Sequence, residues 1–386
     1  MPTQFDCDLH LNDSLRALKK SVTEFAQTHI APIARKMDET NQFPREMWPK
    51  LGKEGYLGIT ISKEYGGTKQ GYLAQMIVME AISRASASLG LAYAAHANLC
   101  SNQIDRFGTP AQKLKFLPKL NSGEWLGGLA MSERNSGSYV LSMQLRAEDR
   151  GDHFVLNGHK MWITNSTTAD VIVVYAKTNP DAGAHGMTTF IIEKNFKGFE
   201  PQPKLNKLGI RGCDTSELFF KNCIVPKENQ LGELNSGLKI LMSGLDIERA
   251  VMTAAPLGLM HACLDLMVPY VKTRQQFKKR IGDFQFIQEK IANAYMNFQI
   301  AQNYGYTMGH LCDAHTILPA QAAAAYLFAS EKATQMALDT IQCLGGIGYL
   351  NDSDAGRLLR DAKLYEIGAG TTEIRRIVIA RELLKD

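Results

Sequence analysis

HFVLNGHKMWIT, residues 153–164, is where the chain stops reading as helix and starts reading as sheet. Apolar residues flank Asn157-Gly158, and Asn-Gly supplies the positive φ angles of a tight type I′ turn. The stretch therefore predicts a hairpin, His153–Leu156 against His159–Ile163. Around it, Val171–Tyr175, Thr188–Ile192 and Glu217–Phe220 are β-branched or aromatic runs between turn signals. An antiparallel β domain is expected over residues 127–232.

Helical periodicity brackets this domain on both sides. Leu15, Leu18, Val22 and Phe25 recur at helical spacing, with Asn12 or Asp13 as the cap. Gly66-Gly67 and Gly108-Thr109-Pro110 read as breaks within an N-terminal helical domain, residues 1–126. Downstream, Leu238–Ala255, Leu257–Thr273, Phe286–Cys312 and Leu318–Leu344 are long apolar-periodic stretches, followed by a helix from about Thr372 to Leu384. They resemble a bundle of antiparallel helices over residues 233–386. The expected fold class is α+β in the order α, β, α. No repeated βαβ unit occurs and no G-x-G-x-x-G follows a strand, which argues against a Rossmann domain.

Composition narrows the function classes. The chain has 386 residues and a net charge of +4, with 45% hydrophobic and 21% charged residues. That charge gives no reason to expect nucleic acid, which calls for a concentrated basic patch. No uninterrupted apolar run reaches the roughly 18 residues of a membrane span, so no membrane partner is expected. The N-terminus lacks the basic start and apolar core of a secretory signal. Seven scattered cysteines, Cys7, Cys100, Cys213, Cys223, Cys263, Cys312 and Cys343, form no C-x-x-C pair. Buried free thiols in a reducing compartment fit them better than disulfides or a metal site.

Six stretches in order resemble the acyl-CoA dehydrogenase family over nearly the whole chain. They are AHANLC (95–100), LAMSERNSGS (129–138), MWIT (161–164), RQQF with a later FQ, IQCLGGIGYL (341–350) and LYEIGAGTTE (364–373). The resemblance implies that fold: an N-terminal helical domain, a middle β domain and a C-terminal bundle like four helices. It implies FAD as cofactor, held by Leu129, Met131, Ser132, Gly137, Ser138, Trp162, Ile163 and Thr164. It further implies that Arg274, Gln285, Gln342, Gly345, Gly346, Thr371 and Glu373 serve FAD, with Arg274, Gln285 and Gln342 reaching that of a neighbouring subunit in a homotetramer. The residue types suit the task. Serine hydroxyls donate to a pyrophosphate, Gly137 permits close backbone approach, and Trp162 offers a flat ring.

The catalytic carboxylate is the deciding question. Most members of the family carry it in a Y-E-G-T type motif, but here that position is Ala369. Upstream, LMSGLDIERAVM holds Glu248 within D-x-E-R. Taken alone, Asp246, Glu248 and Arg249 read as a solvated helix face with local ion pairs. The apolar residues on either side allow partial burial, which raises a carboxyl pKa and suits a base. By resemblance Glu248 is the base, with Glu366 and Glu373 as competing acids, and Ser138, Asp246, Arg249, Ala369 and Gly370 contact substrate. The implied reaction is α,β-dehydrogenation of an acyl-CoA: the base takes the α-proton, the β-hydride goes to flavin, and the Ala369 N–H steadies the thioester oxygen.

Small residues at Gly368-Ala369 leave room for a methyl branch. The expected substrate is isovaleryl-CoA, giving 3-methylcrotonyl-CoA in leucine breakdown; other short or long acyl-CoAs, or a binding-only relative, are the alternatives. The implied electron acceptor is an electron-transfer flavoprotein. The implied setting is the cytoplasm of a bacterium or the mitochondrial matrix of a eukaryote. Arg134, Tyr139, Lys239, Lys278, Arg280 and Ile347 depart from the family pattern.

Overall fold

The structure is a computed structural model that describes Phe5 and residues 11–385; Cys7 lies outside the described residues. Its N-terminal part is helical: α1 (Asp13–Phe25), α2 (Ala31–Thr40), α3 (Met47–Lys53), α4 (Tyr72–Ala85), α5 (Ala87–Tyr93), α6 (Asn102–Phe107) and α7 (Pro110–Asn121). Asn12 caps α1 by accepting the Leu15 N–H at 2.9 Å. The break at Gly108-Thr109-Pro110 is a capping box, with Thr109 and Gln112 each accepting the other's backbone N–H at 3.2 and 2.9 Å.

Eight strands follow: β1 (Gly127–Ala130), β2 (Arg146–Asp149), β3 (His153–Thr164), β4 (Val171–Lys177), β5 (Met187–Glu193), β6 (Phe199–Pro201), β7 (Thr215–Pro226) and β8 (Gln230–Leu231). They form one sheet in the order β6-β7-β3-β2-β4-β5-β8, with β1 added beside β4. Most pairs are antiparallel, but β1 and, at Arg146 opposite Lys177, β2 run parallel to β4. Every residue of β4 is buried. Ile172, Val174 and Ala176 enter one core, and Val171, Val173 and Tyr175 enter a second core with Ile104, Phe116 and Leu117. A strand covered on both faces tolerates a parallel neighbour.

The hairpin expected at Asn157-Gly158 is a different structure. Residues His153–Thr164 are one continuous strand, and the hairpin is β2 with β3, turning at Arg150–Asp152 where Gly151 has φ 94°. Asn157-Gly158 lies inside the strand at a register shift against β7. Two cross-strand forces displace the turn. Asn157 Oδ1 accepts the Asn222 N–H at 2.8 Å. A Cβ on Gly158 would stand 3.1 Å from Leu145 Cα, so this glycine serves close packing in a bulge.

The helices then resume: α8 (Gly237–Met252), α9 (Ala254–Thr273), α10 (Gln285–Asp313), α11 (Pro319–Leu344), α12 (Asp354–Tyr365) and α13 (Thr372–Leu383). Only Thr253 separates α8 from α9. Gly237–Thr273 is long and apolar enough to cross a membrane, unlike the expectation from uninterrupted runs, but 83% of its most apolar window is buried inside the fold. These are core helices by their packing. A short hairpin, β9 (Gln275–Gln276) with β10 (Lys279–Arg280), joins α9 to α10.

Candidate active site

Glu248 lies in the last turns of α8 and is buried, not part of a solvated face. Burial pushes its carboxyl up to about 7, with Arg249 and then Arg375 as opposing charges that limit the rise. Arg249 is itself buried and donates to Asp246 at 3.0 Å, so the helix keeps one local ion pair and leaves Glu248 outside it.

Arg375, on α13, is fully buried. Its Nη1 donates to Ser330 Oγ at 2.8 Å, and its Nη2 donates to the carbonyls of Tyr365 and Gly368 at 2.6 and 2.7 Å. The guanidinium stacks on the Tyr326 ring, 3.7 Å from its centroid. The Tyr326 hydroxyl also reaches the Gly368 carbonyl at 3.4 Å. Glu248, Arg249, Tyr326, Arg375 and the 366–370 loop thus meet at one place. Ala369 holds a left-handed φ of 55° and Gly370 one of 84°. The Ala369 N–H donates to no group among the described residues. Thr371 caps α13 by accepting the Ile374 N–H at 3.3 Å.

The competing acids are placed otherwise. Glu366 is paired with Lys363 Nζ at 2.7 Å. Glu373 is exposed, and hydrogen bonds from its own backbone and from the Thr371 and Thr372 hydroxyls hold its carboxyl below the usual range. Of the three, only Glu248 is buried, and its raised pKa suits proton abstraction near neutrality.

A second group surrounds the end of β3. Leu129 is buried on β1, Met131 and Ser132 are half-buried in the loop that follows, and Gly137 and Ser138 are exposed. The Met161 N–H donates to Ser132 O at 2.9 Å, tying this loop to β3. A second register shift lies between Lys160 and Ile163, and Trp162 within it has φ 60°. That bulge leaves Trp162 exposed beside buried Ile163 and half-buried Thr164. The loop has an anchor that motif reading missed. Lys160 is wholly buried, and its Nζ donates to Glu133 Oε1 and Met131 O, each at 2.9 Å. Glu133 also accepts the Gln144 and Leu145 N–H groups at 2.6 and 2.9 Å. Two buried charges between motif serines and a motif tryptophan were the available signal. Arg134, at a departure from the family pattern, is spent on Glu217, with Nη2 to Oε2 at 2.9 Å.

A third group is exposed at the far ends of α9 and α11. Arg274, Gly345 and Gly346 line one cleft of about 600 Å³ with Phe277, Phe284 and Ile347. Gln285 and Gln342 are exposed on α10 and α11. Among the described residues, no hydrogen bond or ion pair joins this group to the loop carrying Ser132 and Ser138. AHANLC serves the scaffold: His96 accepts the Gly127 N–H at Nδ1 (2.9 Å), and burial lowers its pKa to about 3.

These groups fit a flavin. A Cβ on Gly137, Gly345 or Gly346 would meet nothing within 4 Å, so each leaves open backbone, and Trp162 presents an uncovered ring.

Comparison with known proteins agrees with this architecture. Residues 12–124, 128–223 and 235–384 match the N-terminal, middle and C-terminal domains of acyl-CoA dehydrogenases. The chain belongs to the acyl-CoA dehydrogenase family and is an oxidoreductase of that family. Among its relatives is the mitochondrial isovaleryl-CoA dehydrogenase of Solanum tuberosum, 54% identical over 99% of this chain and 93% of that protein. The mitochondrial 2-methylacyl-CoA dehydrogenase of the same plant is 52% identical over 99% of this chain and 93% of its own length. The solved FAD complex of PigA superposes with a TM-score of 0.94 at 30% identity, covering 98% of this chain and 99% of that one.

Proposed function

We propose that this chain catalyses FAD-dependent α,β-dehydrogenation of a short branched acyl-CoA, isovaleryl-CoA first, giving 3-methylcrotonyl-CoA. The observation that carries it is the pairing of a buried carboxyl at about pKa 7, Glu248, with a free backbone donor, Ala369 N–H, on the neighbouring loop. Glu248 removes the α-proton. The thioester oxygen accepts from Ala369 N–H as negative charge develops on it. Any side chain supplies that backbone donor, so alanine at this position removes no stabilisation. Bound FAD supplies the acceptor for the β-hydride. Leu129, Met131, Ser132, Gly137, Ser138, Trp162, Ile163 and Thr164 hold it, with Thr371 and Glu373 nearby; Ser138, Asp246, Arg249 and Gly370 contact the acyl-CoA.

Gly368 and Ala369 are half-buried, and an added Cβ at Gly368 would meet only Leu364 O, at 3.5 Å. That space suits a branched acyl group. Identity above 50% to an isovaleryl-CoA dehydrogenase supports the same choice, and the 2-methylacyl-CoA relative makes a 2-methyl-branched acyl-CoA the second reading. Arg274, Gln285, Gln342, Gly345 and Gly346 reach FAD in an adjoining subunit of a homotetramer. Phe277 and Phe286 are 87% and 83% exposed in a single chain, which suits burial by a second copy. The domain limits we assign are 1–126, 127–232 and 233–386. An electron-transfer flavoprotein accepts the electrons, in a mitochondrial matrix or a bacterial cytoplasm; both plant relatives are mitochondrial.

Anaerobic mixing of the holoenzyme with a panel of acyl-CoAs tests this reading. Isovaleryl-CoA should bleach the flavin band and lead in kcat/KM, with butyryl-CoA within about 10- to 200-fold, the scale of one misplaced methyl group. A lead for 2-methylbutyryl-CoA selects the second reading. A lead for octanoyl-CoA, or no bleaching, rejects both.

A further inference from the structure

The proposed base lies on α8 and the oxyanion donor on the loop before α13, about 120 residues apart in sequence, and one buried side chain of α13 touches the surroundings of both. We propose that Arg375 is a positioning residue: it aims the Ala369 N–H into the site and holds Glu248 ready as an anion. The inference rests on the proposed dehydrogenase reading.

The aim follows from peptide geometry. Arg375 Nη2 fixes the Gly368 carbonyl at 2.7 Å, and the Tyr326 hydroxyl adds a second donor at 3.4 Å. That carbonyl belongs to the same peptide unit as the Ala369 N–H. In a planar trans unit the two point in opposite directions. Pinning the oxygen against the guanidinium therefore turns the N–H away from it, and no other group takes that N–H. Ala369 sits at φ 55°, a conformation an L-residue leaves readily unless its neighbours hold it. Arg375 supplies the hold from both sides of the loop, through Tyr365 O and Gly368 O. Lysine has one point charge and cannot reproduce this fork.

The second role is electrostatic. The groups that act electrostatically on Glu248 are Arg249 on its own helix, Arg375 on α13, Tyr326 on α11 and Tyr175 on β4. Burial keeps both tyrosine hydroxyls neutral, raising them above the usual range, so the two arginines are the charges that oppose the cost of burying a carboxylate. Arg249 is shared with Asp246; Arg375 has no acidic hydrogen-bond partner, and its buried Nε donates to nothing. The other carboxylate acting on it, Glu331, is hydrogen-bonded to Arg376 instead.

The test uses holoenzyme variants Arg375→Met and Arg375→Lys, read by single-turnover flavin reduction against pH. Wild type must first bleach with isovaleryl-CoA; its failure to do so would count against the dehydrogenase reading itself. Given wild-type bleaching, Arg375→Met should move the lower pH limb upward by roughly one pH unit and slow the plateau at least about tenfold. Arg375→Lys should keep the limb and lose the plateau rate. A readout independent of turnover is the melting temperature. Glu248 binds a proton more readily folded than unfolded, so its contribution to stability is lost as pH rises from the unfolded carboxyl value through the folded one. Without Arg375 that loss should extend above pH 7 to roughly pH 8, and Glu248→Gln in the same background should abolish the extension. Should Arg375→Met fail to hold flavin, Arg375→Lys decides by the same plateau. A variant with the wild-type limb, plateau and melting profile overturns the proposal.

Discussion

The two ends of the C-terminal helices differ in a way that separates chemistry from assembly. At the Glu248 end, Glu248, Arg249 and Arg375 are buried, and Arg375 alone makes three hydrogen bonds inside the chain. At the Arg274 end, the β9–β10 hairpin is exposed, Phe277 and Lys278 hold left-handed φ angles of 50° and 64°, and large apolar side chains face outward. One end is finished within a single chain. The other is left exposed, which suits the second copy we propose there. The difference teaches that the proposed base is assembled within one chain, whereas the proposed cofactor site would draw on more.

The largest effect that would sharpen this contrast lies at the anchor of the loop we propose to hold flavin. Lys160→Met leaves Glu133 buried without its cation, and breaking such a pair costs about 3–5 kcal/mol. Urea unfolding of the holoenzyme should show that loss together with early flavin release. A variant as stable as wild type would mean that the buried pair does not hold the loop. Next comes the exposed end. Phe277→Asp should weaken self-association by about 2 kcal/mol or more, seen by sedimentation, while each chain stays folded. An unchanged oligomer would remove that face from the interface. The smallest effect is in the hairpin itself. Lys278→Gly relieves a left-handed lysine and should stabilise by a few tenths to about 1 kcal/mol in the urea midpoint. Destabilisation would show that the lysine side chain contributes more than its backbone costs.

How much of this was legible in the sequence depended on how local the signal was. The long helices of the bundle were, because apolar periodicity over 20 or more residues is self-consistent: Leu318–Leu344 was expected and Pro319–Leu344 is observed. Helix α12 went unread, since its amphipathic run GRLLRDAKLY sits between two motif stretches. The Asn157-Gly158 turn failed because its turn preference is a local preference, and pairing across β7 and the approach of Leu145 outweighed it. The site divides the same way. Glu248 was named from its motif, and the structure buries it. Arg375 and the Glu133–Lys160 pair were not found, because a buried arginine is marked by what packs on it, Tyr326 and two carbonyls from other elements, and not by its neighbours in sequence.

The central claim is that Glu248 is the base, and single-turnover flavin reduction in Glu248→Gln against wild type tests it most directly. Glutamine keeps the shape and removes the ionisable group. Wild-type reduction should rise with pH, about tenfold per unit, and level off above about pH 7, where the buried carboxyl has lost its proton. Glu248→Gln should bind FAD and isovaleryl-CoA as wild type does, lose that pH limb, and reduce its flavin at least about 10²-fold more slowly. Reduction by the variant at near wild-type speed, with the limb intact, would contradict the account and return the choice to Glu366 and Glu373.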